Sequence, residues 1–313
     1  MTKHILPVFI PHVGCPHQCV FCDQKAITGQ KAPTGREVER ILKEGLRLGK
    51  NPQIAFYGGS FTAIPAALQE EYLEAAFPYV QQGQAQGVRV STRPDCITEE
   101  GLALLKKYGV QTIELGAQSM DDEVLRLSGR GHRSEDTLRA ARLVQEKGFE
   151  LILQLMVGLP GDSREKSLRS ARAVAALGPQ GVRLYPVCVL RGTPLFAMME
   201  RGEYTPLTLE EGVEWSADAL EVFQEKEIPV IRLGLNPSRE LEKQALAGVY
   251  HPAQSRILRR RCEEVLRHAP PGPVTLYYKK GQRSTLQGQK NENLRYFKEH
   301  YPDKIVNIEE LPQ

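Results

Sequence analysis

Three cysteines stand within eight residues near the start of the chain, in the run Gly14-Cys15-Pro16-His17-Gln18-Cys19-Val20-Phe21-Cys22. Thiolates spaced C-x3-C-x2-C can wrap three corners of a cubane [4Fe–4S] cluster and leave the fourth iron without a protein ligand. A vacant iron can bind a substrate, whereas a fully ligated cluster only passes electrons. The competing metal is zinc, for which His12 or His17 would have to complete a tetrahedral set. Zinc sites usually pair two cysteine halves, and no second half follows, because Cys96, Cys188 and Cys262 are scattered. Those three read as packing residues.

Further polar groups fall where apolar runs stop. Gly58-Gly59-Ser60 ends one run, and two glycines let backbone approach a ligand closely. Ser91-Thr92-Arg93-Pro94-Asp95 ends the next, where Arg93, planar and bidentate, suits a carboxylate. Gly116-Ala117-Gln118-Ser119 ends a third. Gln154 lies in a fourth, before Gly158-Leu159-Pro160-Gly161. The amides of Gln118 and Gln154 suit ribose hydroxyls and base edges, or serve only as buried packing. His132 is either a proton relay or a loop residue capping a helix.

The elements that must hold these groups alternate. The pattern predicts strands over 4–13, 53–57, 88–92, 111–115, 151–157 and 182–189, with a further one at 230–235. Between them it predicts helices over 34–48 and 66–79, from 98 to a stop at Gly109, from 134 to a stop at Gly148, after Gly161, and over 209–224. Thr34 and Glu37 have capping-box spacing. A polar loop is expected between 115 and 134. Such alternation requires crossovers and a parallel sheet, with the polar residues above gathered at the strand C-terminal ends. A closed barrel, an incomplete barrel and a doubly wound sheet all share this periodicity.

Composition and charge change at Asn236-Pro237, which divides the chain into 1–235 and 236–313. The net charge is +3, and residues 236–313 carry 14 Lys and Arg against 9 Asp and Glu. A helical stretch over 254–267 holds Arg256, Arg259, Arg260, Arg261 and Arg267. Lys279, Lys280 and Arg283 follow beside Tyr277 and Tyr278, after a proline-rich break at 268–273. Arginines bind phosphate and tyrosines stack on bases, which suits RNA. Equally, Ile257, Leu258, Val265 and Leu266 suit a helix docked on the first unit with its charges solvated. Strand-like segments at 274–278 and 305–308 and a helix near 291–300 complete the tail.

Hydrophobic residues make up 41% and charged residues 25%, an ordinary soluble composition. No apolar run approaches the ~20 residues of a membrane span. The first apolar stretch is broken by Pro7 and Pro11 with no cleavage signal behind it, so a secretory leader is not expected and a cytoplasmic location is.

The cysteine loop after a first strand, with the aromatic Phe21 before its last cysteine, resembles the radical S-adenosylmethionine (SAM) superfamily. The resemblance implies a [4Fe–4S] cluster on Cys15, Cys19 and Cys22, and SAM chelated at the open iron. It also implies a 5′-deoxyadenosyl radical that takes hydrogen from substrate, and a one-electron donor of flavodoxin or ferredoxin type. It places Phe21, Gly58, Gly59, Ser60, Ser91, Arg93, Gln118 and Gln154 around SAM. The turn at Gly58-Gly59-Ser60 acts there through its backbone, since Ser60 replaces the commoner Glu or Thr. The implied fold is α/β, a partial parallel (β/α)6-type TIM barrel with a small α+β C-terminal extension.

A longer string narrows the resemblance: Phe56-Tyr57-Gly58-Gly59-Ser60-Phe61-Thr62, Ser91 to Asp95, Glu114 to Ser119, Gly129-Arg130-Gly131-His132, Gly158 to Gly161, and Arg183-Leu184-Tyr185-Pro186 with Arg191-Gly192-Thr193. In this order they resemble the radical SAM half of the catalytic subunit of the Elongator complex, which modifies wobble uridines in tRNA. RNA, in particular tRNA, is the implied substrate. Coproporphyrinogen oxidases share part of the string, which leaves a porphyrin-like or other small substrate as the alternative, beside a non-catalytic sensor that binds cluster or SAM. The Elongator subunit continues into an acetyltransferase domain, for which the residues after Leu235 are too few. Acetyl-CoA chemistry is therefore not expected.

Overall fold

The computed structural model describes residues 4–11, 14–23, 32–47, 51–234, 245–247, 252–278, 280, 282–288 and 291–311. Seven parallel strands form one sheet: β1 (Ile5–Ile10), β2 (Gln53–Gly58), β3 (Gly87–Thr92), β4 (Val110–Gln118), β5 (Glu150–Val157), β6 (Gly181–Pro186) and β8 (Val230–Leu233), paired in that order. The sheet curls into an open half barrel with β1 and β8 at its edges. Helices cross between the strands: α1 (Gly35–Leu46), α2 (Ala66–Gln81), α3 (Glu99–Lys107), α5 (Ser134–Glu146), α6 (Arg164–Ala176) and α8 (Leu209–Glu225). Thr34 and Glu37 cap α1 reciprocally, as their spacing requires, and Thr98 caps α3.

Each strand has two unlike faces, because successive side chains alternate. Val8, Ile10, Ile54, Phe56, Val90, Ile113, Leu115, Leu153 and Leu184 lie fully or nearly fully buried in the core beneath the helices. The opposite, concave face carries Gln53, Arg89, Thr112, Glu114, Gln154 and Arg183.

Two short helices stand where the pattern predicts a polar loop or no element. The segment after β4 contains α4 (Asp122–Leu127), with Asp121 accepting from the Val124 amide at 3.2 Å. The stretch after β6 holds β7 (Val189–Leu190) and α7 (Pro194–Glu200), capped by Thr193. β7 pairs antiparallel with β9 (Ala245–Ala247).

Beyond the sheet, α9 (Pro252–His268) lies along α8, and its arginines meet an acidic stripe there. Arg256 pairs with Glu214 at 3.1 Å and Glu210 at 3.4 Å. Arg260 pairs with Glu214, with Asp218 at 2.9 Å and with Glu221 at 3.4 Å. Parallel strands β10 (Gly272–Tyr278) and β11 (Lys304–Glu310), joined through α10 (Arg283–Gln287) and α11 (Glu292–His300), pack on the other side of α9. Their apolar cluster of Cys262, Leu266, Leu276, Leu286 and Phe297 is separate from the sheet's core. No described helix is long and apolar enough to cross a membrane.

Candidate metal centre and its surroundings

The cysteine loop leaves the C-terminal end of β1 and is held from three sides. Gly14 has φ +75°, and a Cβ there would fall 2.6 Å from Ile64 Cγ2, 2.7 Å from the Ile64 nitrogen and closer still to the Ser60 carbonyl oxygen. Only glycine permits both the left-handed backbone and that approach. The Val20 amide donates to the Ser128 carbonyl at 3.1 Å, and the Leu195 amide donates to the Val20 carbonyl at 2.8 Å. Between these anchors the Cys22 amide closes a turn on the Cys19 carbonyl at 3.1 Å. Phe21 packs in the apolar cluster of Val189, Leu195 and Tyr204.

Cys19 is buried, while Cys15 and Cys22 are half-buried, and none forms a disulfide. Burial, then the neighbouring Cys19, raises the Cys15 thiol; burial followed by Cys19 and Cys15 pushes Cys22 up to about 12. Cys15 and Cys22 are thus held as thiols until a cation joins them, which is the logic of a metal site. Among the described residues no three Cys, His, Asp or Glu side chains converge closely enough to share one ion. Thiolates around a single zinc would stand about 3.8 Å apart, whereas a cubane spreads its ligands over separate irons. His17 is exposed, and His12 lies outside the described residues. The donor set fits a cluster better than zinc.

A guanidinium lies directly against this set. Arg130, 5% exposed, donates from one Nη to Cys19 Sγ at 3.1 Å and from the other to the Gly116 carbonyl at 2.6 Å. Its own carbonyl accepts from Arg93. Arg93 is buried and bonded to both carboxylate oxygens of Asp95, at 3.0 and 2.9 Å. Burial opposes the Arg93 charge, but Asp95 outweighs it, and the same pairing holds Asp95 below the usual carboxylate range against its own burial.

The remaining strand-end residues group in two places. Gly58 has φ +112°, and the Gly59 amide donates to the Ile10 carbonyl at 2.9 Å, tying β2 to the end of β1. Ser60 is fully buried, its hydroxyl 2.9 Å from Thr92 Oγ1 and accepting from the Arg93 amide at 3.3 Å. Its side chain is thereby engaged. Ser91 stands part-exposed on the concave face. Gln118, a non-glycine residue at φ +66°, accepts from Gln154 Nε2 at 3.1 Å where the β4–β5 register shifts.

His132 is 4% exposed, with its ring in reach of the Ala117 backbone and no side-chain hydrogen-bond partner among the described residues. It caps no helix; Arg133 and Asp136 cap α5. Burial, then the charge of Arg130, lowers its imidazole to about 4, with Asp95 pulling the other way.

The string that carries the resemblance contains Arg130, Tyr57, Glu114, Arg183 and Tyr185 but gives none of them a role, and Arg89 lies outside it. Glu114 Oε2 accepts from Arg183 Nε at 2.9 Å and lies 3.6 Å from Arg89. Arg183 also donates to the Tyr57 hydroxyl at 2.7 Å and the Tyr185 hydroxyl at 3.3 Å. Charged residues at alternate positions of otherwise apolar strands were the available signal. In the tail, Arg261 bonds Gln224 at 2.9 Å, and the Arg259 guanidinium sits 4.0 Å above the Tyr296 ring. Arg267, Lys280, Arg283 and Tyr277 face solvent, and Lys279 lies outside the described residues. Cys188 and Cys262 are buried and Cys96 half-buried, with Cys96 beside Ser60 and Arg93.

Residues 9–173 match the model of the radical SAM superfamily, and 179–264 match the radical SAM C-terminal domain. An uncharacterised protein of Methanocaldococcus jannaschii is 30% identical over 224 residues, 67% of this chain and 69% of its own length. The tRNA uridine(34) acetyltransferase of Methanocaldococcus infernus is 27% identical over 332 aligned positions, 88% of this chain but 60% of that protein. The solved structure of an N-terminally truncated archaeal Elp3 from the same organism superposes with a TM-score of 0.63 at 22% identity, covering 85% of this chain and 64% of that one. With the family model spanning more than half its length and the half barrel as its frame, the chain belongs to the radical SAM superfamily.

Proposed function

We propose that Cys15, Cys19 and Cys22 hold a [4Fe–4S] cluster with one iron open to SAM, and that the substrate is a uridine-bearing RNA such as tRNA. When bound, cluster and SAM together supply one-electron cleavage of the sulfonium and a 5′-deoxyadenosyl radical that takes hydrogen from substrate. The observation that carries the reading is the seating of three thiols on one clamped loop at the strand C-terminal ends, with a buried guanidinium on the most buried of them.

The chain's own residues divide the remaining work. The backbone bonds to Ser128 and Leu195 and the close approach of Gly14 to Ser60 keep the thiols fixed. Gln118 and Gln154, bonded to each other beside that face, offer amide donors and acceptors to a nucleoside. Gly58 and Gly59 bring backbone close on the neighbouring side. Arg93, paired with Asp95, fixes the Arg130 carbonyl rather than presenting a free charge. The apolar packing of Phe21 covers one flank of the loop against water.

The RNA reading draws on the activity printed for the M. infernus relative and on the outward-facing Arg267, Lys280, Arg283 and Tyr277. Because that relative is matched over 60% of its length, only the uridine-bearing substrate is carried over. Anaerobically reconstituted, reduced protein should release 5′-deoxyadenosine from SAM. Cys19→Ala should lose the brown colour and the product, and Cys262→Ala neither. Intact SAM beside a well-formed cluster would sink the radical chemistry. An unchanged nucleoside profile in tRNA from cells lacking the gene would remove the RNA substrate.

A further inference from the structure

A buried cation needs a counter-charge. Arg93 and Arg130 bring two guanidiniums into one buried corner, and Asp95 supplies one carboxylate, bonded to Arg93. Among the described residues no carboxylate lies within ion-pair distance of Arg130, whose contacts are the Gly116 carbonyl and Cys19 Sγ. An uncompensated guanidinium at 5% exposure is costly unless something anionic sits against it. The group that fits is a metal-bound thiolate at Cys19, so the corner rests on the cluster assigned above.

Hydrogen bonds to cluster sulfurs, local net charge and burial are the levers that set an iron–sulfur reduction potential. A cubane of core charge 2+ carrying three thiolates has one net negative charge, and a second once one electron is added. A fixed buried cation stabilises the more negative state further. We propose that Arg130 raises the reduction potential of the cluster through its charge-assisted hydrogen bond to Cys19, acting as a positioning residue held in place by Gly116 and Arg93.

The test is an anaerobic redox titration of the reconstituted full chain without SAM, with dithionite as the one-electron reductant and electron paramagnetic resonance of the reduced cluster as the readout. Arg130→Gln, which keeps donors but not charge, should shift the midpoint to more negative potential at unchanged iron content. Arg130→Lys, which keeps charge but loses the two-pronged geometry, should fall between it and wild type. An unchanged midpoint in the Gln variant at full iron content overturns the proposal; if that variant also binds SAM weakly, the guanidinium serves the cosubstrate carboxylate instead. Should Arg130→Gln fail to hold a cluster, Arg130→Met, neutral and of similar length, is titrated in its place, and a wild-type midpoint there overturns the proposal equally. Wild-type protein that takes up no cubane at all brings down the functional reading, a result distinct from these.

Discussion

Gly14 is where the fold and the candidate metal centre meet, and an added methyl there should damage both. A residue other than glycine at φ +75° costs about 1–2 kcal/mol from the backbone alone. The new Cβ would lie 2.6 Å from Ile64 Cγ2, so the loop must move by about 1 Å, adding about 1–3 kcal/mol of overpacking. Gly192 isolates the first cost, since it has φ +79° with nothing within 4 Å of its Cβ position. An unfolding entropy of about 2.1 cal/mol/K per residue gives about 0.66 kcal/mol/K for 313 residues, so each kcal/mol lowers the midpoint by about 1.5 °C. Gly192→Ala should then melt about 2–3 °C below wild type with full iron content. Gly14→Ala should melt about 3–8 °C below and lose most of its iron, because Cys15 is the next residue. Thermal melts and iron analysis of the two variants, reconstituted side by side, settle the matter. Equal melting shifts with equal iron would refute the close-approach argument.

On the concave face, Glu114→Gln leaves Arg183 and Arg89 without their buried carboxylate and should cost about 3 kcal/mol in urea unfolding, whereas a loss below about 1 kcal/mol would show the pair to be solvated. His132 is held neutral, with its pKa lowered from about 6.5 to about 4. The unfolded chain therefore binds the proton first as pH falls, and stability declines from about pH 6.5 to about pH 4. This removes about 2 kcal/mol between pH 7 and 5, a slope that His132→Gln should lack when melts are compared at both pH values. Arg260→Gln removes the cation shared by Glu214, Asp218 and Glu221 and should speed hydrogen exchange in α9 while leaving β2–β5 protected. The cost, about 1–2 kcal/mol, should shrink in high salt because the site is partly exposed. Unaltered exchange in α9 would mean that apolar packing alone docks it.

The candidate centre was legible because metal-ligand spacing is local: three cysteines within eight residues announce themselves before any fold is known. The alternating parallel sheet was legible for a similar reason, as each strand and crossover helix carries its own period and caps, whereas its curl into a half barrel followed only from the family resemblance. What escaped depends on register. Glu114 and Arg183 are 69 residues apart and meet only because β4, β5 and β6 pair in order. Arg93 looked free for a ligand, yet Asp95, two residues on, folds back onto it through a short turn at Pro94–Cys96. The α9 arginines suited phosphate and a docked helix with solvated charges equally. Glu210, Glu214, Asp218 and Glu221 on α8 have matching helical spacing, and weighing the two stripes together would have shown them to be partners. Helices of six or seven residues, such as α4 and α7, bury too narrow a stripe to stand out by periodicity.

The central claim is a cubane with three protein thiolates and one iron left for SAM. Mössbauer spectroscopy of the reconstituted chain, recorded with and without SAM, tests it most directly. One iron in four should change its isomer shift and quadrupole splitting when SAM is added, and none should in Cys19→Ala, which should hold no cubane. Four irons indifferent to SAM, or anoxic protein containing only zinc, would contradict it.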